Sequence, residues 1–194
     1  DEKGNIIDGD QLLAVLAIKL QRDGELKNST IVGTSMTNYA FDLWLNNIGI
    51  NLMRTDVGDR YISEAINQFD YSLGGEPSGH ILIPHLSKTG DALMNALIIL
   101  CELIRENKLS SNFFKKFIPI PQTIHNIKGL DKDIFDTVEL KEQIHKVIQK
   151  VKDDARVIVR PSGTEKIIRI MVESNNSSLI KSTIGEFKKI FSKY

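Results

Sequence analysis

Apolar side chains recur at helical spacing in some stretches of this chain and alternate in others, and the two periods interleave. Gln11 to Gln21 carries Leu12, Leu13, Val15, Leu16, Ile18 and Leu20, apolar almost all round, which predicts a well-buried helix. Asp8-Gly9-Asp10 stands before it, and an Asp there suits a helix N-cap. Thr30 to Thr34 reads as a short strand. Ala40, Phe41, Trp44, Leu45 and Ile48 mark the next helix, which Gly49 stops. Ile50 to Arg54 is a second strand, followed by a loop at Val57-Gly58-Asp59-Arg60 and a helix with Ile62, Ala65, Ile66 and Phe69 on one face. A Gly-rich run, Leu73 to His80, leads into a strand at Ile81-Leu82-Ile83. Thr89-Gly90-Asp91 opens a long helix to about Asn107, with Leu93, Leu97, Ile98, Cys101 and Ile104 as its expected core stripe and the thiol buried among them.

This alternation predicts an α/β domain with a mixed, mostly parallel sheet. Ligands of such sheets collect at the carboxyl ends of the strands. The loops at Thr34–Asn38, Asp56–Arg60 and Gly74–His80 follow or bridge strand-like runs, so they are expected to share one rim. The pattern changes after Leu109, where Pro119 and Pro121 break regular structure. The expected division is residues 1–7 as the remnant of a preceding domain, 8–109 as the α/β domain, 110–117 as a linker and 118–194 as a smaller α+β domain. In the last, Thr123 to Ile127 reads as a strand. Leu140, Ile144, Val147, Ile148 and Val151 form a helical stripe. Ala155–Val159 and Ile167–Glu173 are strands, the second with Ile168, Ile170 and Val172 on one face and Arg169 on the other. A final helix carries Leu179, Ile180, Ile184, Phe187, Ile190 and Phe191.

Composition narrows the function classes. Lys and Arg together number 25, as do Asp and Glu, so no basic surface for nucleic acid or an anionic membrane is expected. No apolar run approaches the roughly 20 residues of a membrane span. Cys101 is the one cysteine, which precludes an internal disulfide and suits a reducing, cytoplasmic setting. The first residues, Asp1-Glu2-Lys3-Gly4, read as a turn, and the chain is expected to be a piece of a longer protein.

Two stretches carry candidate chemistry. Arg160-Pro161-Ser162-Gly163-Thr164-Glu165 lies between two strands and can aim N–H groups, two hydroxyls and a guanidinium at one point, a cradle for phosphate. A polar hairpin turn whose Arg pairs with a nearby carboxylate fits the same residues. Glu76, Ser78 and His80 alternate; on extended backbone all three project to one side and can bind sugar hydroxyls. A tight turn with Glu and His merely solvated fits as well. Asp8-Gly9-Asp10 offers only two carboxylates to Mg²⁺ and a helix follows at once, so the helix cap is the favoured reading. His85, His125 and His145 lie apart without metal-ligand spacing, and neither a Walker loop nor a dinucleotide fingerprint occurs.

Five motifs in one order change the picture: Gly33-Thr34-Ser35-Met36-Thr37-Asn38, Val57-Gly58-Asp59-Arg60-Tyr61, Gly74-Gly75-Glu76-Pro77-Ser78-Gly79-His80, Thr89-Gly90-Asp91 and Arg160-Pro161-Ser162-Gly163-Thr164-Glu165. Together they resemble the α-D-phosphohexomutases, and most closely the bacterial members that act on glucosamine phosphates. The resemblance runs through nearly the whole chain, which looks like the third and fourth of the family's four domains. It implies a TATA-binding-protein-like antiparallel sheet in the fourth. It implies a reaction that moves a phosphoryl group between the 6- and 1-hydroxyls of a hexose through a bisphosphorylated intermediate, with a phosphoserine and Mg²⁺. Glu76 and Ser78, with His80, would bind the sugar; Arg160, Ser162, Gly163 and Thr164, with Arg169 as an outer partner, would bind the non-reacting phosphate; Asp59 and Arg60 would line the cleft. The implied partners are a hexose phosphate and the missing N-terminal domains of the same polypeptide. A parent acting on mannose or glucose phosphates, and a module that only binds phosphosugars, are the alternatives. Two departures stand out. Lys166 replaces the family's usual Pro. The phosphoserine loop and the Asp-Gly-Asp-x-Asp-Arg metal loop are absent, so no catalytic residue and no metal ligand is expected in this chain, and Asp8-Gly9-Asp10 is a decoy for the metal loop.

Overall fold

A computed structural model describes residues 1–130, 132–162 and 165–194. The chain divides into two units, Asp1–Pro119 and Ile120–Tyr194. The first begins with helix α1 (Gly9–Arg22), capped by the Asp8 carboxylate, which accepts from Gln11 N at 2.9 Å. Strand β1 (Thr30–Thr34), helix α2 (Tyr39–Asn47), strand β2 (Asn51–Thr55), helix α3 (Asp59–Phe69), the two-residue strands β3 (Gly74–Gly75) and β4 (Ile81–Leu82), and helices α4 (Ala92–Glu106) and α5 (Ser110–Phe113) follow. The sheet order is β2-β1-β3-β4; β1 runs parallel to β2 and β3, and β4 closes antiparallel to β3. The expected mixed, mostly parallel sheet is therefore present.

Strand β1 is buried along its whole length because helices cover both faces. Ile31 packs with Leu13, Leu16, Phe41 and Leu45, while Val32, one residue on and on the opposite face, packs with Ile62, Ala65 and Ile66 of α3. A central strand sandwiched in this way has no polar face, which explains its unbroken apolar run.

Two expectations fail in this unit. Residues 110–117 are no linker: Phe113, Phe114 and Phe117 are buried in the main core, and the Phe117 ring stacks on Phe41 at 5.1 Å. Three large aromatics bury far more apolar surface than an exposed connection tolerates, so the unit extends to Pro119. The stripe expected along α4 is mostly turned the wrong way. Of its five residues only Ile98 packs against the core; Leu93, Leu97, Cys101 and Ile104 are exposed, and the buried positions are Asn95, Ile99 and Glu102. Polar partners decide the orientation. Asn95 Nδ2 donates to Ile81 O at 2.9 Å, and Glu102 receives both terminal nitrogens of Arg22 at 2.7 and 3.0 Å.

The second unit holds strand β5 (Gln122–Lys128), a short 3-10 turn (Lys132–Asp136), helix α6 (Val138–Val151), strands β6 (Arg156–Pro161) and β7 (Ile167–Glu173), and helix α7 (Ser177–Phe191). The sheet order is β5-β7-β6, with both pairings antiparallel. Ile168, Ile170 and Val172 face α6 and α7 and form a core with Leu140, Val147, Ile184 and Phe187. The period-two reading of β7 thus holds, and Arg169 lies on the other face. The unit is the small α+β fold with an antiparallel sheet that the pattern predicts.

Candidate functional site

In the first unit the parallel direction of β1, β2 and β3 sets the site. Their carboxyl ends lie at one edge, so the loops that follow them meet there. Ser35 N donates to Thr55 O at 2.8 Å, tying the loop after β1 to the end of β2. Gly58 N donates to Glu76 Oε1 at 3.1 Å, tying the loop after β2 to the loop after β3. The three loops share one rim, as expected.

Glu76, Ser78 and His80 do not lie on extended backbone. They belong to a hairpin turn between β3 and β4: Gly79 N donates to Glu76 O at 2.9 Å and Glu76 N to His80 O at 3.0 Å. Pro77 and Ser78 occupy the centre of the turn and Gly79 has φ +92°. Ser78 is exposed at the tip, while Glu76 and His80 are half-buried at the base. The three side chains are gathered by the turn and not by strand alternation.

Glycines from two other motifs pack under this turn. Gly9, the first residue of α1, donates its N–H to Pro77 O at 2.9 Å. A Cβ on Gly9 would overlap Glu76 O and lie 2.6 Å from Gly79 N. Gly90 meets the imidazole of His80; a Cβ there would overlap Nε2 and stand 2.6 Å from Cδ2. Asp8-Gly9-Asp10 therefore has three separate roles. Asp8 caps α1, Gly9 lets the helix approach the turn, and Asp10, buried, accepts from Asn38 N at 2.8 Å and fixes the loop after β1.

Arg54 completes that loop. Its Nη1 donates to Thr34 O at 3.1 Å and Thr37 O at 2.7 Å, and its Nη2 pairs with Asp42 at 3.2 Å. The sequence pattern assigns Arg54 no role and takes Asp10 only as part of a cap or a decoy metal loop, not as the anchor of the loop after β1. The available signal was a cation closing a strand that leads into a rim loop. Asp59 and Arg60 sit exposed on the first turn of α3, where Arg60 Nε pairs with Glu64 at 2.7 Å, which raises the guanidinium pKa. They are at the rim by position, with Arg60 turned along its own helix.

In the second unit the Arg160 motif closes the β6–β7 hairpin. Ser162 is buried; its N–H donates to Ile167 O at 2.8 Å, and its Oγ accepts from Glu165 N at 3.3 Å. Gly163 and Thr164 lie outside the described residues. Arg160 pairs with Arg169 in the ladder, so both guanidinium side chains rise from the same face of the sheet. Arg169 Nη2 also reaches Glu165 at 3.3 Å. Lys166 uses its carbonyl to accept from Gly129 N at 3.0 Å. Two cations in register beside a Ser hydroxyl make an anion-binding surface in chemical terms.

The remaining expected bystanders stay apart. His85 lies near Glu25 at 3.9 Å, and His125 sits on β5, where burial and Lys188 push its pKa down. Among the described residues no group of three His, Cys, Asp or Glu side chains is arranged to hold a metal ion, and no helix is long and apolar enough to cross a membrane.

With the geometry in hand, comparison with known proteins is specific. Residues 8–119 match the family profile phosphoglucomutase/phosphomannomutase, alpha/beta/alpha domain III, and residues 121–190 match phosphoglucomutase/phosphomannomutase, C-terminal domain. Phosphoglucosamine mutase of Thermoanaerobacter sp. is 40% identical over 194 residues, covering 98% of this chain and 43% of that protein. Phosphoglucosamine mutase of Corynebacterium urealyticum is 38% identical over 191 residues, again 98% of this chain and 43% of the relative. The chain thus spans less than half the length of the curated relatives it matches. Among solved structures, Aspergillus fumigatus N-acetylphosphoglucosamine mutase in complex with GlcNAc-6P and magnesium matches with a TM-score of 0.81 at 16% identity, over 96% of this chain and 47% of that one. At that identity the likeness concerns the fold.

Proposed function

The chain belongs to the phosphoglucomutase/phosphomannomutase family, and we propose that it is the carboxyl-terminal part of a phosphoglucosamine mutase, which interconverts glucosamine 6-phosphate and glucosamine 1-phosphate. The observation that carries this reading is the match, at about 40% identity and nearly end to end, to proteins of that name.

The roles follow the chemistry of the side chains. Glu76, held by Gly58 N–H, presents its other carboxylate oxygen to sugar hydroxyls, and Ser78 offers a hydroxyl at the exposed tip of the same turn. His80, seated against Gly90, borders them. Arg160, Ser162 and Arg169 take the phosphate that does not react, and Gly163 and Thr164 join them by sequence motif. Asp59 and Arg60 line the same rim as the sugar reader. Phosphoryl transfer depends on positioning and charge neutralisation more than on covalent work by the protein.

Nucleophile and metal belong to the preceding part of the polypeptide in this reading. Among the described residues no group of three His, Cys, Asp or Glu side chains fits Mg²⁺. The 194-residue chain by itself binds substrate without turning it over, and the whole enzyme works in the cytoplasm on a soluble sugar phosphate. Assay of the full-length polypeptide tests the proposal. Faster turnover of glucosamine 6-phosphate than of mannose or glucose phosphates is expected; the reverse order overturns the substrate. Turnover by the 194-residue chain, with contaminating mutase excluded, overturns the division of labour.

A further inference from the structure

Helix α4 packs Ile98, Ile99 and Leu103 on the core, yet it also buries polar side chains and leaves an apolar face exposed. Its polar side chains Asn95 and Glu102 are buried, held by Ile81 O and Arg22. Its exposed positions from Ala92 to Ile104 are Ala92, Leu93, Met94, Ala96, Leu97, Leu100, Cys101 and Ile104, all apolar, and the first exposed charge is Arg105. Leu93 is 73% exposed, Leu97 51%, Leu100 50% and Ile104 77%. Their spacing of four, three and four residues is that of a helix-packing seam. A helix left to face water carries polar residues on that side. A continuous apolar patch of this kind marks a contact surface.

Two observations identify the occupant. The chain spans only about 43% of its relatives, and the matched domains are the third and the carboxyl-terminal one, so the remainder of each relative comes before this region. The entering chain is also fixed beside the end of α4. Glu2 N donates to Ser110 Oγ at 3.1 Å, Ser110 Oγ donates back to the Glu2 carboxylate at 2.6 Å, and Ser111 N donates to it at 2.9 Å. Ser110 follows α4 by a few residues, next to the exposed Leu109. A domain tethered at that point is held at high effective concentration over the face. We propose that the outer face of α4, centred on Leu97 and Leu100, is the docking surface for the domain that precedes this chain in the longer polypeptide. The proposal rests on reading the chain as part of a longer mutase.

Cys101 stands on this face and reports on it. The experiment is the rate of Cys101 alkylation by a small maleimide in the 194-residue chain and in the full-length polypeptide, with any other cysteines of the latter replaced by Ser. Protection in the full-length protein by a factor on the order of ten or more is expected. In the full-length protein, Leu100→Ala thins the contact and restores much of the lost reactivity. Equal rates in the two proteins overturn the proposal. So does protection already present in the 194-residue chain, and if that protection grows with concentration the occupant is a second copy. Alkylation is read without turnover, so a failed mutase assay removes the functional reading while this result still stands on its own.

Discussion

Arg160 on β6 and Arg169 on β7 stand directly opposite each other in the antiparallel ladder. Side chains so placed have Cβ atoms about 5 Å apart, and like charges in that position repel. Glu165 offsets part of this from Arg169, through an exposed pair worth at most about 1 kcal/mol. An anion bound between the two guanidiniums turns the repulsion into attraction.

Inorganic phosphate should therefore stabilise the protein. At about 100 times its Kd, a ligand that binds only the folded state adds about 2.7 kcal/mol, read as a rise in melting temperature. Arg160→Ala should abolish that rise, because one of the two facing guanidiniums is removed. An undiminished phosphate effect in the variant places the anion elsewhere.

Gly9→Ala should be costly although the residue opens a helix, where Ala is ordinarily preferred. The added methyl overlaps Glu76 O, a backbone atom that cannot rotate aside. A loss of about 1–3 kcal/mol in urea unfolding is expected from overpacking, together with weaker sugar-phosphate binding measured by calorimetry. A stabilised variant with full affinity contradicts the close packing of α1 under the turn.

Gly90→Ala tests the seat of His80 separately. The methyl meets the tip of a side chain, so the ring can swing away at little cost to stability, of order 1 kcal/mol or less. The His80 imidazole resonances should shift in NMR, and binding of glucosamine 6-phosphate should weaken more than binding of inorganic phosphate. Unmoved resonances exclude the contact.

The Arg22–Glu102 pair sets a pH dependence. The Arg22 hydrogen bonds hold the Glu102 carboxyl below its ordinary pKa. A depressed folded pKa gives stability that is complete above the unfolded value, about 4.3, and is lost as pH falls through the folded one. Glu102→Gln should cost about 1–2 kcal/mol near neutral pH, a buried-pair cost reduced because Arg22 is partly exposed. Unfolding curves of the two proteins should converge as pH falls below the unfolded value of about 4.3. A gap that stays constant with pH means the pair contributes packing and no charge.

Legibility from sequence varied with how local the cause was. Strand β7 and helix α7 were readable because their periods of 2 and 3.6 are set by their own residues against one core. The rim of the first unit was readable from the strand–helix alternation, since parallel strands place their following loops at one edge. Helix α4 was misread because apolar spacing marks a buried face only when something covers it; Asn95 and Glu102 were drawn inward by Ile81 O and Arg22, far away in sequence. Residues 110–117 were misread because prolines mark an irregular backbone and not an exposed one. The extended reading of Glu76, Ser78 and His80 failed at Pro77 and Gly79, which make a turn.

By itself the sequence determined the order of elements, the two-part architecture, the family and the residue types proposed to bind phosphate and sugar hydroxyls, because these rest on local periodicity and on motifs contiguous in the chain. Tertiary structure alone decided which groups support them: Gly9 under Glu76, Gly90 against His80, Gly58 N–H on the Glu76 carboxylate, Arg54 and Asp10 on the loop after β1, and Arg169 beside Arg160. Each of these joins positions separated in sequence, and which atoms touch is fixed by close packing and strand register, not by any period along the chain.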